Sequence, residues 1–159
     1  MTSGPSPDLL HYEDFEVGSV AEFGDRTVTQ DEIIAFALKY DPQPMHTDPV
    51  AARESVFGGL VASGWHSCAI LMRMMCEGWI LKGASLGSPG IERCSWLVPV
   101  RPGDRLHVRR RIDSRRRSGK RPELGFVLMT AELVKADGTV ALELISNGMY
   151  RVRDPETAS

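Results

Sequence analysis

With 159 residues, of which 42% are hydrophobic and 25% charged, the chain has the composition of one soluble globular domain. A formal net charge of −2 argues against general nucleic-acid binding, and the longest apolar stretch, Cys68 to Met75, is interrupted by Arg73 and too short to span a bilayer. No basic segment followed by an apolar one opens the chain, so no signal peptide is read; three cysteines without metal-type spacing fit reduced thiols in a cytoplasmic protein.

Residues 1–10, rich in Pro, Ser and Gly, are expected to be disordered, residues 11–153 to form a single domain, and residues 154–159 to fray. Val20 to Val28 alternates loosely and predicts one or two short strands. Thr29 with Glu32 matches a capping box, and Ile33, Ile34, Phe36, Ala37 and Tyr40 then mark one helical face. Pro42 disfavours helical geometry at Asp41 and ends that helix. Asp41 to Asp48 reads as a polar loop stiffened by prolines. Thr47 or Asp48 then caps a short helix that has Pro49 at its first position and Ala51, Ala52 and Val56 facing inward.

Gly64 to Leu81 reads as a central helix. Its apolar residues cover nearly the whole circumference, which predicts burial on most sides; one polar line runs through His66, Arg73 and Glu77. His66 reads as structural and the Met-rich face as core. After Ser88 the period changes to two, with a strand ending at Pro99 and long strands at Leu106–Ile112, Leu124–Val134 and Val140–Val152. Pro102-Gly103-Asp104 and Asp137-Gly138 are turn signals, and strands joined by short turns are antiparallel. The predicted class is α+β, a buried helix followed by an antiparallel sheet curled round it.

The chemistry-bearing candidates lie on the loop. Asp41 and His46, five positions apart among Pro42, Pro44 and Pro49, could share a proton-transfer task, because neutral imidazole titrates near neutrality. The simpler reading makes Asp41 a brace for a proline-rich turn and His46 a satisfied structural histidine. Asp48 reads as a helix cap, and one His with two carboxylates is a thin ligand set for a metal, so none is expected. Arg109–Arg111 and Arg115–Arg117 read as a solvated hairpin end or, alternatively, as an anchor for phosphates.

The segment YDPQPMHTDPVAARESVFGGLVASGWH, residues 40–66, resembles the signature of MaoC-like dehydratases and (R)-specific enoyl-CoA hydratases, and VPVRPGDRL, residues 98–106, resembles the same family's Pro-Val-x-Pro-Gly-Asp turn. Gln43 stands where the family often has Asn, and Ser63 where a His often precedes the glycine. The resemblance implies a hot-dog fold, a long helix wrapped by an antiparallel sheet. It also implies a lyase that hydrates an enoyl-CoA or dehydrates its 3-hydroxyacyl counterpart, with coenzyme A part of the substrate and no further cofactor. Asp41 and His46 would be catalytic and would grip one water. Asp41 taking its proton while His46 protonates C2 is one division of roles, and the reverse is also open. Ser63, Gly64 and Gln43 would be substrate-binding: the Gly64 N–H facing the thioester oxygen, the Ser63 hydroxyl holding the water or the Asp/His pair, and Gln43 contacting substrate or bracing the loop. Ser63 could equally be a helix cap and Gly64 a packing glycine.

The implied partner is an acyl-CoA or acyl-carrier thioester, with neither nucleic acid nor membrane, in a homodimer or higher homo-oligomer. Two other functions share the fold. A thioesterase usually carries an acid early in the central helix, where this chain has none before Glu77; a non-catalytic acyl-CoA-binding subunit would not need both Asp41 and His46.

Overall fold

Five strands make one antiparallel sheet in the order β1-β3-β4-β5-β2. In the computed structural model, which describes residues 9–157, they are β1 (Val20–Thr27), β2 (Ser85–Trp96), β3 (Arg105–Arg117), β4 (Leu124–Lys135) and β5 (Val140–Arg151). The helices are α1 (Gln30–Tyr40), α2 (Pro44–Thr47), α3 (Pro49–Arg53) and α4 (Gly64–Met75), and α4 continues as a π-helical turn over Cys76–Ile80. The sheet's inner residues, among them Val108, Ile112, Val127, Met129, Leu133 and Leu142, bury α4 through Ile70, Leu71, Met74, Met75 and the fully buried Trp79. This is the hot-dog arrangement.

Local chemistry accounts for most boundaries. The Thr29 hydroxyl accepts from Glu32 N, as an N-cap should, but the Glu32 carboxylate goes to Arg26 and the Thr29 hydroxyl, leaving the return half of the capping box unmade. α1 stops at Asp41, ahead of Pro42, as the sequence predicts. The expected loop 41–48 instead contains the helical turn α2, with Pro44 at its first position. Asp48 caps α3 by accepting from Val50 N at 2.8 Å and Ala51 N at 3.3 Å. Val56 is not inward-facing: it lies beyond the end of α3 and is 97% exposed.

α4 is less enclosed than its composition predicts, because Trp65 and Met72 face outward. Arg109–Arg111 lie in the predicted strand, and β3 runs past Ile112 through Arg115–Arg117 to the hairpin end, so the run is strand rather than turn. Arg109 pairs with Glu132 and Arg111 with Asp113. Arg110 sits among the rings of Phe15, Phe23 and Trp79, and Arg115 donates to the carbonyls of Tyr12 and Glu13. Of the expected disordered start, residues 1–8 fall outside the described residues, whereas Leu10 is fixed by hydrogen bonds to Lys82 O and from Ala84 N. Pro155–Thr157 form a 3-10 turn. Among the described residues no helix is long and apolar enough to cross a membrane.

Gly125, in β4, lies directly under the Tyr12 ring, where a Cβ would overlap the ring carbons. Gly125→Ala is therefore expected to destabilise the fold by about 1–3 kcal/mol, since a rigid ring cannot yield as a flexible chain would. An unchanged denaturant midpoint would contradict the account of Tyr12 as a fixed plug over β4.

Candidate active site

Asp41 is the residue at which α1 ends. Its N–H still makes the last helical bond, to Ala37 O, while its backbone has turned out of the helix. Gln43 N bonds Asp41 O at 2.8 Å, and α2 then winds back, so that His46 becomes buried. His46 Nδ1 lies 2.8 Å from Val61 O, and Val61 N bonds Met45 O at 3.2 Å, tying α2 to the strand-like approach to α4 from both sides. A carbonyl can only accept, so Nδ1 carries a proton, and whenever the ring is neutral Nε2 presents a lone pair. That nitrogen stands 3.5 Å from Asp41 Oδ2.

Both oxygens of Asp41 are held by donors. The Ser63 hydroxyl donates to Oδ2 at 2.6 Å and the Gln43 amide to Oδ1 at 2.7 Å. The Ser63 bond, then the Gln43 bond, keep the carboxyl below the usual carboxylate range, against a smaller opposing effect of burial. Ser63 is almost wholly buried and is also the N-cap of α4, accepting from Trp65 N at 3.2 Å. The structure thus sets Ser63 behind the carboxylate with its hydroxyl engaged there, while Gln43 braces it from the cavity wall.

Gly64 is the first residue of α4, where the helix geometry supplies no carbonyl four residues back for its N–H. It also has a packing reason to be glycine: a Cβ would stand 2.6 Å from Cε2 of Trp96. The Trp96 indole donates to Gly64 O at 2.9 Å and meets Trp65 edge-on at 5.5 Å between ring centroids. Trp96 is the residue that sequence reasoning missed. It falls in the predicted strand that ends at Pro99, is 51% exposed and stands over the start of α4. The Val61 carbonyl was equally invisible, because any residue type offers one.

A cavity of about 410 Å³ joins these groups, with Asp41, Gln43, His46, Gly64 and Trp96 on its wall beside apolar Met45, Phe57, Val61, Val98, Val100 and Ala141. The Pro-Gly-Asp turn supports it from below. Asp104 accepts from Arg101 N, Arg101 reaches Phe57 O at 2.7 Å, and Ala62 N bonds Val100 O at 2.8 Å. The two sequence motifs, far apart in the chain, are parts of one wall. His66 belongs to the α1–α4 packing instead. It stacks on Phe36, stands 3.8 Å from Glu32, and burial lowers its pKa. Among the described residues no group of three or more His, Cys, Asp or Glu converges as metal ligands.

Fold and wall together define a hot-dog domain with a carboxylate–imidazole pair at the head of its central helix. The MaoC-like domain model matches residues 14–128, and the chain belongs to that family. It is 29% identical over 118 residues to the uncharacterized protein YdeM of Bacillus subtilis, a match that covers 74% of this chain and 82% of that protein. It is 33% identical over 84 residues to the 3-hydroxyacyl-thioester dehydratase Z of Mycobacterium tuberculosis; there the match covers 52% of this chain and only 56% of the relative. Among solved structures, the MaoC-like dehydratase from Rhodospirillum rubrum is 35% identical with a TM-score of 0.82, covering 91% of this chain and 99% of that one.

Ser63→Ala is expected to raise the Asp41 titration, read by NMR of its carboxyl carbon, and to lower stability by about 1 kcal/mol through the lost cap. A carboxyl whose folded pKa is depressed contributes stability that is present above about pH 4 and is lost as pH falls through the folded value. The variant should therefore lose part of that acid-sensitive stability, whereas Ser63→Thr, which keeps the hydroxyl, should keep it. An Asp41 titration unmoved by Ser63→Ala would contradict this wiring.

Proposed function

We propose that the chain is a lyase acting on an acyl thioester, adding water across the C2=C3 double bond or removing it to form that bond. Coenzyme A or an acyl carrier is proposed to be part of the substrate, with no further cofactor. One observation carries the reading: two proton acceptors, Asp41 Oδ2 and His46 Nε2, are held 3.5 Å apart on a cavity wall at the N-terminus of α4. The dehydratase named among the relatives supports the same reaction class.

In the hydration direction a water gives one O–H to each acceptor, which leaves its oxygen lone pair free to attack C3 of the enoyl thioester. His46 Nε2 takes a proton from that water as the C3–O bond forms. The resulting imidazolium delivers a proton to C2, so the hydrogen lost by water is the one gained by carbon and the ring returns to neutral. Asp41, held ionised by Ser63 and Gln43, is a weak base; it orients the water and stabilises the imidazolium. This makes His46 the proton carrier in both steps, unlike either division open from sequence, in each of which Asp41 moves one of the protons. The charge that builds on the thioester oxygen in between would face the Gly64 N–H, where the helix dipole also favours an anion. A donor in that place is typically worth about 3–4 kcal/mol.

The protein partner is proposed to be a second copy of the chain. β2 ends the sheet, and its residues 87–93 are all exposed, Ile91 among them. Pairing two such edges would satisfy their open backbone groups. Light scattering should return twice the monomer mass, and a stable monomer would contradict it.

Hydration of crotonyl-CoA, followed by loss of enone absorbance, tests the reaction. His46→Ala and Asp41→Asn are each expected to lower kcat by roughly 10²–10⁴ with the far-UV spectrum unchanged. Full activity in either variant, or no turnover of any enoyl thioester by the folded wild type, would overturn the reading.

A further inference from the structure

Two thiols that the proposed chemistry does not use meet beside the site. Cys68 lies one turn into α4, four residues after Gly64, and Cys94 lies on β2, two residues before Trp96. Their sulfurs are 3.7 Å apart, both residues are half-buried, and both are free thiols. Helix and edge strand each direct a thiol at the same point. A disulfide needs the sulfurs at about 2.05 Å, so they must close by roughly 1.6 Å. The side that can move is β2, whose register against β5 already slips between Ile91 and Arg93, just before Cys94. That irregular pairing with β5 leaves fewer backbone bonds to break there than a regular ladder would.

We propose that Cys68 and Cys94 are a reversible oxidation site, forming an intramolecular disulfide with a peroxide as the oxidant. One sulfur attacks the peroxide O–O bond, becoming a sulfenic acid and releasing a first water. The other displaces the sulfenic hydroxyl, which leaves with a proton as a second water. Two thiols lose two electrons and two protons, and one hydrogen peroxide becomes two waters. The bond ties β2 to α4 one turn below Gly64 and so restrains Trp96, whose indole already bonds Gly64 O. Burial first, then the neighbouring Cys94, pushes the Cys68 thiol up to about 11. Thiolate is therefore scarce at neutral pH and the pair reacts slowly, as suits a response to sustained oxidant rather than a catalytic thiol.

The test treats the full chain with hydrogen peroxide, blocks remaining thiols under denaturing conditions, and maps unreduced peptides by mass. The expected product is a single Cys68–Cys94 cross-linked peptide, two hydrogens lighter than the separate peptides and released by dithiothreitol, with Cys76 still alkylated. Closing this loop should raise Tm by roughly 5–10 °C. Cys94→Ser should abolish the cross-link and Cys76→Ser should leave it intact. Sulfinic acid at either cysteine without a cross-link would overturn the proposal. So would a Cys94–Cys94 link between chains, or three thiols still free when glutathione in the same tube is fully oxidised. None of these readouts depends on turnover of a thioester, so they stand or fall separately from the proposed function.

Discussion

One hydroxyl joins the two helices that make the site. Ser63 Oγ donates to Asp41, the last residue of α1's influence, and accepts from Trp65 N, in the first turn of α4. Buried from solvent, that oxygen has no water to fall back on, so both bonds are structural obligations. Its geometry sets where the carboxylate stands relative to the helix mouth. Everything else at the site adjusts to that point: Gln43 closes the other carboxylate oxygen, and α2 brings His46 up to the one left facing the cavity.

The second constraint is steric and comes from the opposite side. Trp96 projects from β2 over the start of α4 and leaves no room for a side chain at Gly64. Its indole bond to Gly64 O couples the edge of the sheet to the helix mouth. The site is thus clamped between a hydroxyl within its own helix cap and an aromatic ring on a separate strand. A shift of β2 would be felt at Gly64 before it was felt in the core. That coupling is why a link between Cys68 and Cys94 matters for the site rather than only for stability.

Much of this was legible in the sequence, for reasons that differ by residue. The helix end at Asp41, the cap at Asp48 and the hairpin at Asp137-Gly138 follow from rules acting over a few residues, so local pattern suffices. The approach of Asp41 to His46 was legible only through the motif, because five residues of backbone do not by themselves specify a helical turn that folds one side chain back on another. Three features were beyond local reading. The outward face of Trp65, the strand continuing past Ile112 through Arg115–Arg117, and Trp96 over Gly64 all depend on neighbours distant in the chain. The arginine run shows the reason clearly. Its charge pattern predicts solvent, yet Glu132, backbone carbonyls and aromatic rings, all distant in the chain, take up guanidinium groups, beside the local partner Asp113 two residues from Arg111.

The facing of Asp41 Oδ2 and His46 Nε2 has its own energetic logic. Two acceptors turned toward each other in a half-enclosed wall gain nothing from one another while the ring is neutral. Ser63 donates to the carboxylate, whereas Nε2 opens onto the cavity and its ring is fixed from behind by Val61 O. The imidazolium form removes the conflict at once, because Nε2–H then points at an anion 3.5 Å away. A species carrying two O–H groups removes it equally well. On the proposed reading these are the two states the reaction visits, water bound to a neutral ring and imidazolium beside carboxylate, so the same preorganised pair favours both ends of the proton transfer. A site built only to brace a turn would have no need to hold two lone pairs in opposition at the head of a cavity.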